Sequence, residues 1–277
     1  MVALFYDVSR SQIRKPYNLH FCRHIAIYAQ FRYGVFITLQ RCTHKETFMK
    51  IVAVNGSPTG ANGTTGKVLA ALIEGTKKEG AEVRLFELGA GTVKPCISCH
   101  TCQKEGHCVI EDDLQAIHQA MLESDGIVLG TPNYIDDVSA QLKALLDRSF
   151  SMYHCQSLNG KYGACVVASG GPRYERVEEY LMDKIGNIGC WKVGSMVAAG
   201  GLIHDPEYAP AIEEEARELG QTLVRAIATR ATFPEQIEAR HDCFEVMRWL
   251  VEDQKEEWPF EYKYWQTHWK DTIIKPQ

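Results

Sequence analysis

Four cysteines, Cys96, Cys99, Cys102 and Cys108, fall within thirteen residues in the spacing C-x-x-C-x-x-C followed by a fourth after five more positions. Turns of this spacing converge thiolates on one compact point, the donor set that a four-cysteine iron–sulfur cluster requires. Zinc also accepts four thiolates, but its structural sites usually pair two separated C-x-x-C knuckles. A packed turn or a metal-free dithiol is the third reading, because C-x-x-C alone often marks thiol chemistry. His100 and His107 flank the thiols and read as solvated or supporting groups, since four cysteines already complete a ligand set.

The second chemically suggestive stretch is Gly56–Lys67, GSPTGANGTTGK. Small residues let a backbone wrap an anion, the hydroxyls of Ser57, Thr64 and Thr65 can donate to it, and a helix starting near Thr65 would add its N-terminal amides. A Walker loop needs Gly at 61 and Ser or Thr at 68, where Ala61 and Val68 stand. The glycines also miss the G-x-G-x-x-G dinucleotide spacing. A plain glycine-rich turn capped by Thr64 is the alternative.

These segments must be positioned by the elements around them, and from Met49 onward strand-like and helix-like patterns alternate. Strands are expected at Ile51–Val54, Ala81–Leu88, Gly126–Gly130, Gly163–Ser169 and Lys192–Ala198. Helices are expected after Thr65 (Val68, Leu69, Leu72 and Ile73 on one face, Gly75 and Gly80 near its end), at Leu114–Glu123, Ser139–Phe150, Arg176–Ile188 and Glu207–Thr229. Asp112 and Asp113 favour the start of the second helix. Five strands each followed by a helix describe an α/β fold, a doubly wound parallel sheet covered on both faces. Ligands of such sheets bind beyond the carboxyl ends of the strands where the strand order reverses, so Gly56–Gly66, Thr131–Val138 and Ser169–Arg173 are the candidate loops.

With both elements in hand, the region from Lys50 to Thr229 resembles the NAD(P)H-dependent FMN reductase branch of the flavodoxin-like superfamily, and most closely its iron–sulfur flavoprotein members. The resemblance lies in VNGSPTGANGTTGKVL (54–69), KPCISCHTCQKEGHCVIEDDL (94–114), SDGIVLGTPNYIDDVSAQLKALLDR (124–148) and YGACVVASGG (162–171). It implies a flavodoxin-like doubly wound five-stranded sheet, bound FMN, a [4Fe–4S] cluster close to the flavin, NAD(P)H or a small carrier as electron donor, and a homodimer or homotetramer with flavin near a subunit interface. The family's phosphate-loop residues fall on Ser57, Gly63, Thr64 and Thr65, with Thr64 standing where the family has Asn and the preceding loop one residue longer. Its second flavin segment falls on Thr131, Pro132, Asn133, Tyr134 and Ile135, and its third on Ser169, Gly170 and Gly171. The cluster ligands fall on Cys96, Cys99, Cys102 and Cys108 without departure. The implied activity is an oxidoreductase that moves electrons between donor, FMN, cluster and an acceptor such as a quinone, an oxygen species or another redox protein. A cluster-free FMN or quinone reductase is the nearest alternative, and a non-catalytic electron carrier or redox sensor the alternative of another class.

Composition agrees with a folded globular protein: 45% of the 277 residues are hydrophobic and 23% charged. The net charge of −5 hides an asymmetry, because residues 1–48 carry seven Lys and Arg against two acids and the remainder is strongly acidic. An acidic body offers no footprint for nucleic acid or an anionic membrane surface, and no run approaches the ~20 apolar residues of a spanning helix. Clustered thiols without a signal peptide point to a reducing, cytoplasmic setting. Residues 1–48 read as a basic extension outside the fold, with Met49 a candidate translation start and an Arg-rich transit segment the competing reading. The domain is expected over 49–232. Beyond it, 233–277 carries Trp249, Trp258, Trp265 and Trp269 with Phe260, Tyr262 and Tyr264, an aromatic tail expected to clasp a hydrophobic surface, or else to act as a lid over the flavin. Cys155, Cys165, Cys190 and Cys243 read as small core residues, and Glu213–Glu215 as a solvated helix face.

Overall fold

The computed structural model describes residues 27–31, 34–38, 48–89 and 91–269. The chain divides into two units, Met1–Thr47 and Phe48–Gln277. In the first, β1 (Ile27–Phe31) and β2 (Gly34–Thr38) pair antiparallel. The rest of the basic extension, including Arg10, Arg14, Lys15, Arg23, Arg32, Arg41 and Lys45, lies outside the described residues.

In the second unit, β3 (Lys50–Asn55), β4 (Glu82–Glu87), β5 (Gly126–Pro132), β6 (Tyr162–Ser169) and β7 (Trp191–Ala199) form one all-parallel sheet in the order β4-β3-β5-β6-β7. This is the flavodoxin-like order, and the reversal falls between β3 and β5. β5 runs two residues beyond its apolar stretch because Thr131 and Pro132 continue to pair with Val167 and Ala168. Successive side chains of a strand point to opposite faces: Val52, Val54, Ile127 and Leu129 enter one core, and Ile51, Ala53 and Val128 the other.

The first core is closed by α3 (Leu114–Glu123), α4 (Ala140–Arg148) and α6 (Tyr174–Asn187), the second by α1 (Thr64–Lys78) and α7 (Ala209–Thr229). Leu69, Leu72, Leu145 and Leu181 are almost wholly buried, each worth about 1.5–3 kcal/mol of transfer free energy. Gly75 lies in the last turn of α1, three residues before Lys78. It and Gly220 let α1 and α7 touch backbone to backbone, since a Cβ on either would come within 2.2 Å of a carbonyl oxygen across the interface.

The expected helix Ser139–Phe150 is broken at Ser149, whose hydroxyl donates back to the Leu145 carbonyl at 2.8 Å, so that α5 (Phe150–His154) starts afresh. The aromatic segment forms two helices, α8 (Ile237–Asp253) and α9 (Pro259–His268), around Phe244, Val251 and Trp265. It docks on its own chain: the indoles of Trp265 and Trp269 donate to the carbonyls of His154 and Cys155 at 2.9 and 2.8 Å. Cys155, Cys165 and Cys190 are buried, and Cys243 is half-buried.

Candidate functional site

Three loops meet at the carboxyl ends of β3, β5 and β6. β3 ends at Asn55, whose carbonyl Oδ1 accepts the Ser57 amide at 3.0 Å while its Nδ2 donates to Glu87 at 2.7 Å. The Gly56 amide donates to Gly130 O at 2.7 Å, and the Ser139 hydroxyl donates to Gly56 O at 2.6 Å, fixing the first loop to the second. Ser57 Oγ and Thr59 Oγ1 share a hydrogen bond of 2.9 Å, and a short 3-10 turn at Gly60–Asn62 leads into α1. Gly63 is extended and supplies no side-chain cap, so the amides of Thr64 and Thr65 face out of the helix end, an arrangement suited to an anion. Gly66 is required here, because a Cβ would sit 2.3 Å from the Gly60 carbonyl.

One expected donor is already engaged. The Thr64 hydroxyl donates to Gly200 O at 2.8 Å, so its contribution to an anion is its backbone amide. The same contact brings in two residues that the sequence did not single out: Lys67 Nζ donates to His204 Nδ1 at 2.8 Å, and His204 Nε2 lies 3.3 Å from Thr64 Oγ1. Lys67 and His204 are 137 positions apart, and nothing local in either segment signals the pairing.

The second and third loops are stitched together in the same way. Thr131 is fully buried. Its oxygen accepts the Ser139 amide at 3.0 Å and its hydroxyl donates to Pro132 O, so it shapes the loop from beneath. The Asn133 amide donates to Ala168 O at 2.7 Å and its Nδ2 to Ser169 Oγ at 3.0 Å, while its buried Oδ1 has no partner. Tyr134 and Asp137 exchange backbone hydrogen bonds, forcing Ile135 and Asp136 to φ of 53° and 61°. For a β-branched residue this is strained, a state that recurs at ligand clamps. Ile135 is 97% exposed and Tyr134 49%, two apolar side chains on the rim. Gly170 and Gly171 have open space on their Cβ side, and the Gly200 amide donates to Ser169 O at 2.6 Å.

The cysteine segment leaves the sheet after β4 and contains the one-turn α2 (Thr101–Glu105). Ser98 and His100 adopt left-handed backbone (φ 55° and 61°), which folds the chain back between successive cysteines. Cys96, Cys99, Cys102 and Cys108 all line one small cavity, together with Arg148 and Phe150. Among the described residues, no three His, Cys, Asp or Glu side chains are gathered tightly enough to ligate a single ion. Burial pushes the Cys102 thiol up to about 11, aided by Glu261 and by the other three cysteines. Hydrogen bonds from Thr101 lower that of Cys99.

Arg148, at the end of α4, was not foreseen as part of this site. Its guanidinium donates to Cys108 Sγ at 3.1 Å, to the carbonyls of Lys94 and Ile110, and to Asp112. Asp112 also accepts the Lys94 amide at 2.9 Å, so both ends of the cysteine loop are tied at one point. Burial alone would raise the Asp112 carboxyl, but Arg148 and the amides of Lys94 and Leu114 hold it below the usual carboxylate range. On the outer side, the Phe260 ring of α9 packs on Gly106, and buried Glu261 accepts His154 Nδ1–H at 2.9 Å. The other end of α4 is capped by Ser139, the residue that also holds Gly56 and Thr131.

A parallel sheet in flavodoxin order, with a small-residue anion loop and two further loops at its switch point, defines a flavin-nucleotide-binding α/β protein. The family profile of NADPH-dependent FMN reductases matches residues 49–204, and the chain belongs to this family. It is 37% identical over 152 residues to an iron–sulfur flavoprotein of Methanocaldococcus jannaschii, covering 55% of this chain and 76% of that one. It is 30% identical to one from Archaeoglobus fulgidus (66% and 82% covered) and 32% identical to one from Methanosarcina thermophila (57% and 84%). Among solved structures, RosB superposes with a TM-score of 0.55 at 11% identity over 75% of this chain and 87% of that chain. A flavone reductase superposes at 0.51 and 18% identity, over 65% and 63%. The chain is therefore an FMN-dependent oxidoreductase of flavodoxin-like fold. No helix among the described residues is long and apolar enough to cross a membrane.

Proposed function

We propose that this oxidoreductase carries a [4Fe–4S] cluster on Cys96, Cys99, Cys102 and Cys108, and passes electrons from NAD(P)H or a small carrier, by way of FMN and the cluster, to an acceptor. The observation that carries the reading is the cavity walled by all four cysteines, at the end of the helix whose start is bonded into the flavin loops. Nine residues at 1.5 Å each put those two ends about 13 Å apart. FMN supplies two-electron chemistry at its ring and the cluster one-electron chemistry, so that the pair converts one into the other.

The residues do the positioning. The amides of Thr64 and Thr65 and the hydroxyl of Ser57 bind the phosphate, and Lys67 adds positive charge beside it. Asn133, whose Oδ1 lacks a partner, provides an acceptor for a ring N–H, and Ser169, Gly170 and Gly171 leave room for the ring edge. Pro132 holds the strand end beneath, while Tyr134 and Ile135 cover the ring from the rim, where a second copy of the chain in a homodimer or homotetramer would complete the enclosure. No side-chain acid or base is needed for hydride transfer to flavin. Arg148 donates to the Cys108 sulfur at 3.1 Å and so holds that thiol in place on the cavity wall.

Protein purified without oxygen is expected to show flavin absorption with one FMN and about four irons per chain on this ligation. Cys108→Ser should lose iron and keep FMN. A chain that takes up FMN but no iron after reconstitution would remove the cluster from the reading.

A further inference from the structure

The guanidinium of Arg148 carries five N–H groups. Four are engaged: Nη1 donates to Lys94 O at 3.1 Å and to Asp112, and Nη2 donates to Cys108 Sγ at 3.1 Å and Ile110 O at 3.2 Å. The fifth, on Nε, is buried and finds no acceptor among the described residues. A buried donor without an acceptor is costly and rare in folded proteins, and this one belongs to a residue that lines the four-thiol cavity. Among the described residues, Arg148 is also the only Lys or Arg in that lining. Asp147, the acid there, is half-buried and bonded to Lys143. His100, also in the lining, donates through Nδ1 to Gln103 Oε1 at 2.7 Å.

The ion pair of Arg148 with Asp112 has a direction. Asp112 does not line the cavity; its carboxylate is held behind the guanidinium by the amides of Lys94 and Leu114 at 2.9 and 3.1 Å. The pair therefore turns its positive end to the thiols. With the Arg148 side chain 1% exposed, water and salt screen that charge little.

We propose that Arg148 sets the reduction potential of the iron–sulfur centre, its Nε–H donating to an inorganic sulfide and its charge favouring the reduced form. The proposal rests on the cluster reading above and adds the residue that makes the centre reducible by flavin. Four thiolates leave the oxidised centre anionic. One electron leaves reduced FMN and enters the centre, which gains one negative charge, and no bond at the cysteines forms or breaks. Net charge and hydrogen bonds to sulfur are among the factors that set such potentials.

The test is an anaerobic potentiometric titration of the holoenzyme, read by the low-temperature EPR signal of the reduced centre, for the wild type, Arg148→Gln and Asp112→Asn. Arg148→Gln should lower the midpoint by about tenfold in the equilibrium constant, about 59 mV for one electron. Asp112→Asn should raise it, and neither should move the FMN potentials. The opposite signs discriminate, because both variants break the same ion pair and a role confined to anchoring the loop would shift both alike or neither. Shifts of one sign, or no shift, overturn the proposal. Where a variant fails to take up iron, the wild type decides, grown with arginine isotopically labelled at Nε alone. Pulsed EPR should then show a coupling between that nitrogen and the reduced centre, and its absence overturns the proposal. Wild-type protein that takes up no iron removes the cluster reading and this proposal with it, whereas an iron-loaded wild type that fails these tests leaves the cluster reading standing.

Discussion

Replacing Arg148 with Met tests whether one buried guanidinium fastens the cysteine loop to the fold. The Arg148 and Asp112 side chains are 1% and 4% exposed, and Arg148 makes four further contacts of consequence: Lys94 O, Ile110 O, Cys108 Sγ and, through Asp112, the Lys94 amide. Removing one partner of a buried ion pair strands the other charge, which costs about 3–5 kcal/mol. Against a typical total of about 5–15 kcal/mol for a domain, Arg148→Met should bring the urea midpoint down by about a fifth or more. Asp112→Asn keeps an acceptor for the Leu114 amide and removes the stranded charge, so the double variant should recover about 0.5–3 kcal/mol relative to the sum of the singles. The assay is urea unfolding of reduced apoprotein for all four members of the cycle, followed by iron content after reconstitution. A loss under about 1 kcal/mol with normal iron uptake would place Arg148 among ordinary surface charges and refute its role as the loop's anchor.

Other consequences are as direct. Gly66→Ala pushes a Cβ to 2.3 Å from Gly60 O; overpacking of this kind costs about 1–3 kcal/mol, and FMN content measured by absorbance should fall with it. Asn133→Leu removes the unpartnered Oδ1 and should weaken FMN binding about tenfold, a ~1.4 kcal/mol hydrogen-bond effect, with little change in the apoprotein melt; equal FMN affinity would contradict the assignment. His118 is held neutral down to about pH 4 against an ordinary value of 6.5, so the unfolded chain binds the extra proton first and stability falls as pH drops from about 6.5 towards 4. His118→Gln should flatten that part of the pH–stability curve. Asp112, whose carboxyl is lowered, contributes stability above its unfolded value near 3.8, lost as pH falls through its folded value, and Asp112→Asn should remove that steeper acid limb.

The sheet was legible because four strands are short, mostly apolar runs bounded by glycine or a polar turn, β4 alternates Val83 and Leu85 with polar residues, and the helices between the strands show their own period. The order of the strands came only with the resemblance to flavodoxin-like proteins, since the one hand of the crossovers does not by itself choose which strands neighbour each other. Local signals also located the three loops, because Gly56–Gly66, Thr131–Val138 and Ser169–Arg173 directly follow strands. What no local pattern could reveal are contacts between distant segments. Lys67 and His204, and Arg148 and Cys108, pair through the fold across 137 and 40 positions. The commitment of the Thr64 hydroxyl to Gly200 needed the position of the loop after β7. The C-terminal segment was recognisable by its tryptophans, but its periodicity is weak because α8 and α9 bury only scattered positions, Phe244, Val251, Glu261 and Trp265, and its contact with the cysteine loop runs through a glycine, Gly106, that carries no side chain to announce it.

α4 joins the loops at the ends of β3 and β5 to the cysteine loop mechanically as well as spatially. Its N-cap Ser139 accepts the Leu142 amide, donates to Gly56 O and is itself tied to Thr131; its last residue, Arg148, holds Cys108 and both ends of the cysteine loop. The helix interior is packed through Leu142, Leu145 and Leu146 into the first core, so it moves as a rigid rod and not as a hinge. A displacement of either loop is therefore transmitted along a backbone whose length is fixed by its hydrogen bonds. Ser139→Ala deletes the cap and the bond to Gly56, a loss of about 0.5–2 kcal/mol, and loosens the flavin end without touching the cysteines. If α4 couples the loops, this variant should also raise the rate at which a thiol reagent modifies Cys108 in the apoprotein. An unchanged modification rate beside a measurable fall in stability would show that the two loops are anchored independently.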